Sequence, residues 1–346
     1  MCASPAIRIV TDGRPPRWRQ LLLTALLGLG ALSTAQAQDD AQGWLERLGG
    51  AAKNVSYQGT FIYRHGGRIE TMRIVHRGGP EGEAERLVAL TGTPREIIRD
   101  ERRVTCILPD DGSVVLDRRQ LANPLAGRVP ADAARLRRSY RVELEDRSRI
   151  AGRLAQEIVI KPHDRLRYGY RLWADQESGL LLRSDLLDER GEPIEQIMFT
   201  ELRIVDSVPA EALQPQLAGE GITWQRETAP PPAVADGAAV SAWVVDDLPD
   251  GFELVLREVR HIADGGAPVE HLLYSDGLAS VSIYIEKGAG RSNFDGRSRI
   301  GALHAYGRVV EGEQITVVGD VPAATVARIG ASLRRQDAAT DAADAR

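Results

Sequence analysis

Tyr57 to Arg99 reads YQGTFIYRHGGRIETMRIVHRGGPEGEAERLVALTGTPREIIR, and this stretch decides the fold. Tyr57, Gly59, Phe61 and Tyr63 alternate with Gln58, Thr60, Ile62 and Arg64. A period of two places the aromatics on one face of a pleated strand. His65-Gly66-Gly67-Arg68 follows, and a Gly-Gly pair supplies the positive φ of a tight hairpin turn. The next strand sets Met72, Ile74 and His76 on one face and Thr71, Arg73 and Val75 on the other. Gly78-Gly79-Pro80 breaks that run, a third strand covers Glu85 to Leu90, and Thr91-Gly92-Thr93-Pro94 turns into a fourth, Arg95 to Arg99. The stretch predicts an antiparallel meander whose apolar face needs a cover.

The rest of the chain extends that pattern. Gln42 to Ala52 reads as a short amphipathic helix, with Trp44, Leu45 and Leu48 on one face, suited to cap the sheet. Strands are expected at VTCIL (104–108), Ser113–Leu116, Tyr140–Leu144, Gln156–Lys161, Tyr168–Trp173, Gly179–Leu187 and Ile194–Ile204, with a helical stretch at Pro130–Arg138. Few long helices separate the strands, which argues against a parallel α/β sheet. The expected fold is mainly β (α+β): a large antiparallel sheet covered by short helices. Residues 219–242 change composition abruptly, and their Pro and Ala tract reads as an extended linker into which Ile222 and Trp224 bring apolar side chains. Beyond it, Glu253–His261, Val269–Tyr274, Ala279–Glu286, Ala302–Val309 and Glu313–Val318 read as strands of a smaller antiparallel β unit. Gly288–Arg299 reads as a polar loop, and Pro322–Leu333 as a C-terminal helix. The expected divisions are 1–37, 38–218, the linker 219–242, 243–334 and a disordered tail, 335–346.

Composition narrows the function. Arg8, Arg14, Arg17 and Arg19 precede an apolar run from Leu21 to Leu32, and Ala35-Gln36-Ala37 fits a small-x-small cleavage site. Residues 1–37 therefore read as a secretory signal peptide; an uncleaved anchor is the alternative, disfavoured by the shortness of the run. Removing four Arg and one Asp leaves a net charge of −8, against −5 for the whole chain. That acidity argues against nucleic acid as partner. Cys106 would then stand alone and reads as a small buried hydrophobe.

No G-x-S-x-G, H-E-x-x-H or P-loop occurs, and Gly288-Ala289-Gly290 does not complete a dinucleotide fingerprint. The six His show no ligand spacing; His65 and His76 fall on neighbouring strands and are read as structural, without a metal. Glu81, Glu83 and Glu85 read as a solvated edge, and Arg291, Arg297 and Arg299 as surface charge able to collect an anion. Nothing points to an enzyme or a cofactor.

Two long stretches carry a family resemblance. One is YQGTFIYRHGGRIETMRIVHR with ERLVALTGTPREIIR and VTCILPD; the other is HLLYSDGLASVSIYIE with GALHAYGRVVEGEQITVVGDVPAATV. Together they resemble the RseB/MucB family of periplasmic regulators of the sigma-E envelope-stress response, over nearly the whole chain after residue 37. The resemblance implies a non-enzymatic periplasmic protein. It would bind the periplasmic part of a membrane-spanning anti-sigma factor and protect it from regulated proteolysis. Mislocalised lipopolysaccharide or lipoprotein would relieve that protection. It also implies a large unit similar to the carriers LolA and LolB, an open half-barrel with helices over its concave face. A lipoprotein carrier is the alternative function, although a carrier needs no second unit.

Residue chemistry then nominates two sites. Tyr57, Phe61, Tyr63, Met72 and Ile74 form an aromatic, Met-containing face suited to an acyl chain. Tyr274, Asp276 and Leu278 at a hairpin tip, read as an exposed anchor, join Arg291 and Arg297 as partner-binding candidates. The sequence leaves self-association open.

Overall fold

The computed structural model describes residues 40–80, 82–100, 103–108, 112–117, 133–217, 224–225, 243–261, 268–288 and 294–336. The expected signal peptide, Arg291, and the linker except for Trp224–Gln225 lie outside them.

The first helix, α1, spans residues 40–54. Two meanders follow. β1 (Tyr57–His65), β2 (Arg68–Arg77), β3 (Ala84–Ala89), β4 (Glu96–Arg99), β5 (Arg103–Leu108) and β6 (Gly112–Asp117) form the first. After the short α2 (Ala133–Leu136) come β7 (Tyr140–Ile150), β8 (Arg153–Pro162), β9 (Gly169–Asp175), β10 (Leu181–Leu187) and β11 (Pro193–Ile204). The two meanders are joined edge to edge by β1 and β11, Tyr57 lying opposite Ile204 and His65 opposite Glu195. With β12 (Trp224–Gln225), which pairs in parallel with β6, they make a twelve-stranded sheet in the order β12-β6-β5-β4-β3-β2-β1-β11-β10-β9-β8-β7.

The β1–β2 turn falls at Gly66 and Gly67, with φ of 51° and 81°. Register sets Phe61 opposite Met72 and Tyr57 opposite His76, while His65 faces Arg68 at the other end. The two histidines therefore sit at opposite ends of the hairpin and share no site. Among the described residues no group of His, Cys, Asp and Glu is arranged to hold a metal ion.

A second, six-stranded sheet follows: β14 (Glu253–His261), β15 (Pro268–Ser275), β16 (Ser280–Lys287), β17 (Gly296–Ile300), β18 (Leu303–Val310) and β19 (Glu313–Gly319), in the order β14-β15-β16-β19-β18-β17. Val281, Ile283 and Ile285 point to one face and pack with Val326 and Ile329 of α3 (Ala323–Ser332) in a core of their own. The helix ends one residue short of Leu333. Leu333–Arg335 is strand β20, which pairs with β13 (Trp243–Val245). Arg335, read as the first tail residue, ion-pairs with Glu313 at 3.0 Å and lies over the Trp243 ring.

Two polar segments escaped the sequence reading. β7 runs on to Ile150 and β8 starts at Arg153, around a turn at Ala151 and Gly152 (φ 49° and 79°). Gly296–Ile300, expected within a loop, is an edge strand. Both lack the apolar alternation that marks a half-buried strand.

Candidate functional site

The apolar face of the large sheet is filled and covered. Ala41, Leu45, Leu48 and Ala51 of α1 recur every three or four residues and are all buried against it. Burying each leucine is worth about 1.5–3 kcal/mol. Beneath them lie Tyr57, Phe61, Met72 and Ile74, none more than 6% exposed, with Tyr63 packed at the margin. Phe199 ties the aromatics together: its ring meets Tyr57 edge-on at 5.9 Å and Phe61 at 5.7 Å. Gly59 permits this, because a Cβ there would lie 2.9 Å from the Phe199 ring and 2.5 Å from the Glu201 carbonyl oxygen. The five residues nominated as an acyl face thus belong to one core.

The helix is held along its length, and Arg137 donates to Gln42 in its first turn. Arg47 donates to the carbonyl of Gln176 at 3.0 Å, and the Gly79 amide donates to the Lys53 carbonyl at 2.9 Å. Tyr57 stacks on His76 at 4.8 Å. Burial, with Glu85 and Glu83 adding to it, pushes the Tyr57 hydroxyl far above its ordinary range. Glu85 overturns the reading of a solvated edge: it is 2% exposed, 2.8 Å from Arg99 and 3.7 Å from His76. The strand around it packs on both faces, so its carboxylate is drawn in and paired rather than solvated.

The second site is a joint between the two sheets. The β15–β16 tip, read as an exposed anchor, inserts into the large sheet's core, where Leu278 is 8% exposed and packs with residues of α1, β1 and β7–β11. Tyr274 is buried within the smaller core. Asp276 is the hub. One carboxylate oxygen accepts from Arg167 at 2.7 Å and from the Tyr140 hydroxyl at 2.9 Å; the other accepts the Leu278 and Ala279 amides at 2.9 and 2.8 Å. Arg167 also donates to Asp164 and to the Asp250 carbonyl, and its guanidinium lies over the rings of Tyr140 and Phe252. Burial, reinforced by the Asp276 charge, drives the Tyr140 hydroxyl well above its ordinary range.

Further contacts widen the joint. Arg135 donates to the Ser275 carbonyl at 2.9 Å and pairs with Glu253, and the Thr325 hydroxyl donates to the Leu166 carbonyl at 2.7 Å. Ala302, at the β17–β18 turn, is buried in the large core. Gly251, with φ 84°, passes so close that a Cβ there would sit 2.2 Å from the Ser139 hydroxyl. Sequence reasoning missed Arg167, Tyr140 and Arg135. They lie more than a hundred residues from the Ser275–Asp276 tip that they hold, and no local pattern marks them.

The smaller sheet carries a polar string on the face away from α3. His271 Nδ1 lies 3.2 Å from Glu258, its Nε2 lies 3.1 Å from the Ser282 hydroxyl, and its ring stacks on Tyr284 at 4.6 Å. Ser282 sits in β16, between β15 and β19, so the surrounding backbone N–H groups serve two ladders rather than an oxyanion. The string is cross-strand bonding on one sheet face.

A helix-covered antiparallel sheet with a smaller sheet keyed into its core by a buried ion pair defines a two-part β protein with a large internal joint. The chain belongs to the MucB/RseB family: the model described as MucB/RseB N-terminal domain matches residues 40–217, and that described as MucB/RseB C-terminal domain matches residues 237–334. It is 36% identical to the sigma factor AlgU regulatory protein MucB of Pseudomonas aeruginosa, over 92% of this chain and 97% of that one. It is 28% identical to the sigma-E factor regulatory protein RseB of Escherichia coli K12, over 91% and 98%. Among solved structures, the Pseudomonas aeruginosa MucA/MucB complex matches at 33% identity and a TM-score of 0.68, covering 86% of this chain and all of that one. MucB in complex with MucA(peri) matches at 31% identity and 0.66 over the same shares.

Proposed function

We propose that this chain is a periplasmic, non-enzymatic regulator that binds the periplasmic part of a membrane-anchored anti-sigma factor and shields it from proteolysis. One observation carries the reading. The family models span both sheets and the residues of the joint, 40–217 and 237–334, and MucB solved with MucA(peri) matches 86% of this chain. Residues 1–37, with their basic start and short apolar run, support export. The test is direct: the protein without residues 1–37 is mixed with the periplasmic region of the anti-sigma factor, and a site-specific protease is added. Slower cleavage of the anti-sigma factor supports the reading, and unchanged cleavage with no complex on gel filtration ends it.

Release by an acylated ligand is the finer part of the proposal. It is favoured by the aromatic and Met-containing face under α1, which a ligand reaches only if the helix moves. A chain of about twelve carbons gains roughly 0.8 kcal/mol per buried methylene. Shifting a two-state protein from 1:99 to 99:1 needs about 5.5 kcal/mol of differential affinity. The same face supports the second reading, a lipid carrier; delivery of a lipoprotein between membranes without an anti-sigma factor would favour it. The hairpin tip bearing Tyr274, Asp276 and Leu278 acts on a partner through the joint it holds, while Arg297 stands at the surface.

A further inference from the structure

The smaller sheet has two edge strands, β14 and β17. At β14 the first residue, Glu253, is engaged by Arg135 and Arg138 across the joint. Along β17, Arg297, Ser298, Arg299 and Ile300 are all exposed, Ile300 by 76%. β17 pairs only with β18, so among the described residues its outer row of backbone N–H and C=O groups faces no strand. Arg297 pairs in register with Tyr306 and Arg299 with His304, on the α3 side; Ser298 and Ile300 point to the other face. Among the described residues Arg297 and Arg299 meet no carboxylate, and Arg299 donates only to the Gly301 carbonyl at 2.7 Å.

The tip of this edge abuts the large sheet. A Cβ on Gly66 would lie 3.9 Å from the Gly301 backbone, so the turn of the β1–β2 hairpin meets the β17–β18 turn. Ile69 and Ile300 are 64% and 76% exposed. Acidic groups lie near as well. Glu195 approaches Gly301, and Glu70 is held by Arg95 and His65.

From this arrangement, and resting on the proposed function, we infer that β17 is a docking edge for an extended segment of the anti-sigma partner, whose side chains alternate acidic and apolar. A strand added to an exposed edge gains main-chain hydrogen bonds, and alternate side chains give it specificity. Here one face offers two guanidinium forks, which suit carboxylates. The other offers the exposed Ile300. A bilayer surface supplies charge and apolar depth but no backbone partners for the free ladder, so the strand fits the edge better. Open edges are ordinarily blunted by charge; the two arginines keep like copies apart while admitting an acidic strand.

The test uses the protein without residues 1–37, its Arg297→Glu/Arg299→Glu variant and an Ile300→Ser variant. All three positions are exposed, and folding is checked by circular dichroism. The binding partners are MucA(peri), a synthetic peptide of about eight residues alternating Glu and Leu, and one of the same composition in two blocks. The alternating peptide should bind better than the block peptide, slow amide exchange at Gly296–Ile300, and lose about tenfold affinity on charge reversal. Equal binding of the two peptides, or no protection in β17, overturns the inference. Loss of binding to phosphatidylglycerol vesicles on charge reversal, with neither peptide bound, assigns the patch to a lipid surface and also overturns it. MucA(peri) bound equally by wild type and the Glu variant leaves the proposed function standing and removes the edge. Failure of MucA(peri) to bind while the alternating peptide does keeps the strand-binding edge and removes the partner.

Discussion

Arg167 and Asp276 meet 2.7 Å apart with neither side chain exposed, one from the large sheet's side of the molecule and one from the smaller sheet's hairpin. Breaking such a pair by removing one partner leaves a buried charge and costs about 3–5 kcal/mol. Asp276→Ala should show that loss in chemical denaturation at neutral pH. Arg167→Met combined with Asp276→Leu should cost markedly less than either single change, because no uncompensated charge remains.

Leu278 tests the same joint without charge. Its side chain fills the large core, so Leu278→Ala should destabilise by about 2–4 kcal/mol. A folded variant with unchanged denaturation would mean the hairpin is not seated there in solution.

Gly251 should accept no side chain. Gly251→Ala combines a left-handed backbone, about 1–2 kcal/mol of strain, with collision against Ser139. The expected outcome is a lower melting temperature, and Gly251→Ala with Ser139→Gly should recover only the collision part.

The joint also predicts how the pieces behave once separated. A protease site inserted near residue 233 and then cut should leave two fragments, about 39–232 and 234–335, that co-elute on gel filtration. Wild-type fragments that separate, or Asp276→Ala fragments that stay together, would contradict a joint held by these contacts.

Asp175 gives a pH prediction. Burial raises its carboxyl, but hydrogen bonds from Arg153 and Ser178 outweigh that and hold it below its ordinary value. A depressed folded pKa contributes stability that is present above the unfolded value, about 3.9, and is lost as pH falls through the folded one. Asp175→Asn should therefore be less stable than wild type at pH 7. The gap should narrow below about pH 4; a gap that stays constant to pH 2 would contradict the pairing.

The sequence showed the sheets where one face is apolar and the other polar. Tyr57–His65 against Arg68–Arg77 is the clearest case, since alternation and a Gly-Gly turn agree on register. It failed where neither face of a strand is buried, as along most of Glu145–Arg149 and in Arg297–Arg299, because burial on one face is what writes the signal. The aromatic face was legible as a face and the first helix as its cover, but that Phe199 fills it depends on contacts across the chain. The hairpin tip was legible as a turn with an aromatic and an acid. Its partner Arg167 lies 109 positions away, and one sequence holds no trace of that pairing.

The seam between β1 and β11 sets the order in which this molecule becomes itself. Tyr57 waits for Ile204 and His65 for Glu195. As the chain emerges from its N-terminus, one flank of β1 stays an open edge beside a half-covered aromatic face until residue 204 has been made. Contacts so distant along the chain slow folding, and an open apolar edge invites other chains. A polypeptide stopped before Pro193 would carry that unfinished flank permanently, a sticky fragment, so a premature stop late in the first half should yield inclusion bodies rather than a smaller working protein.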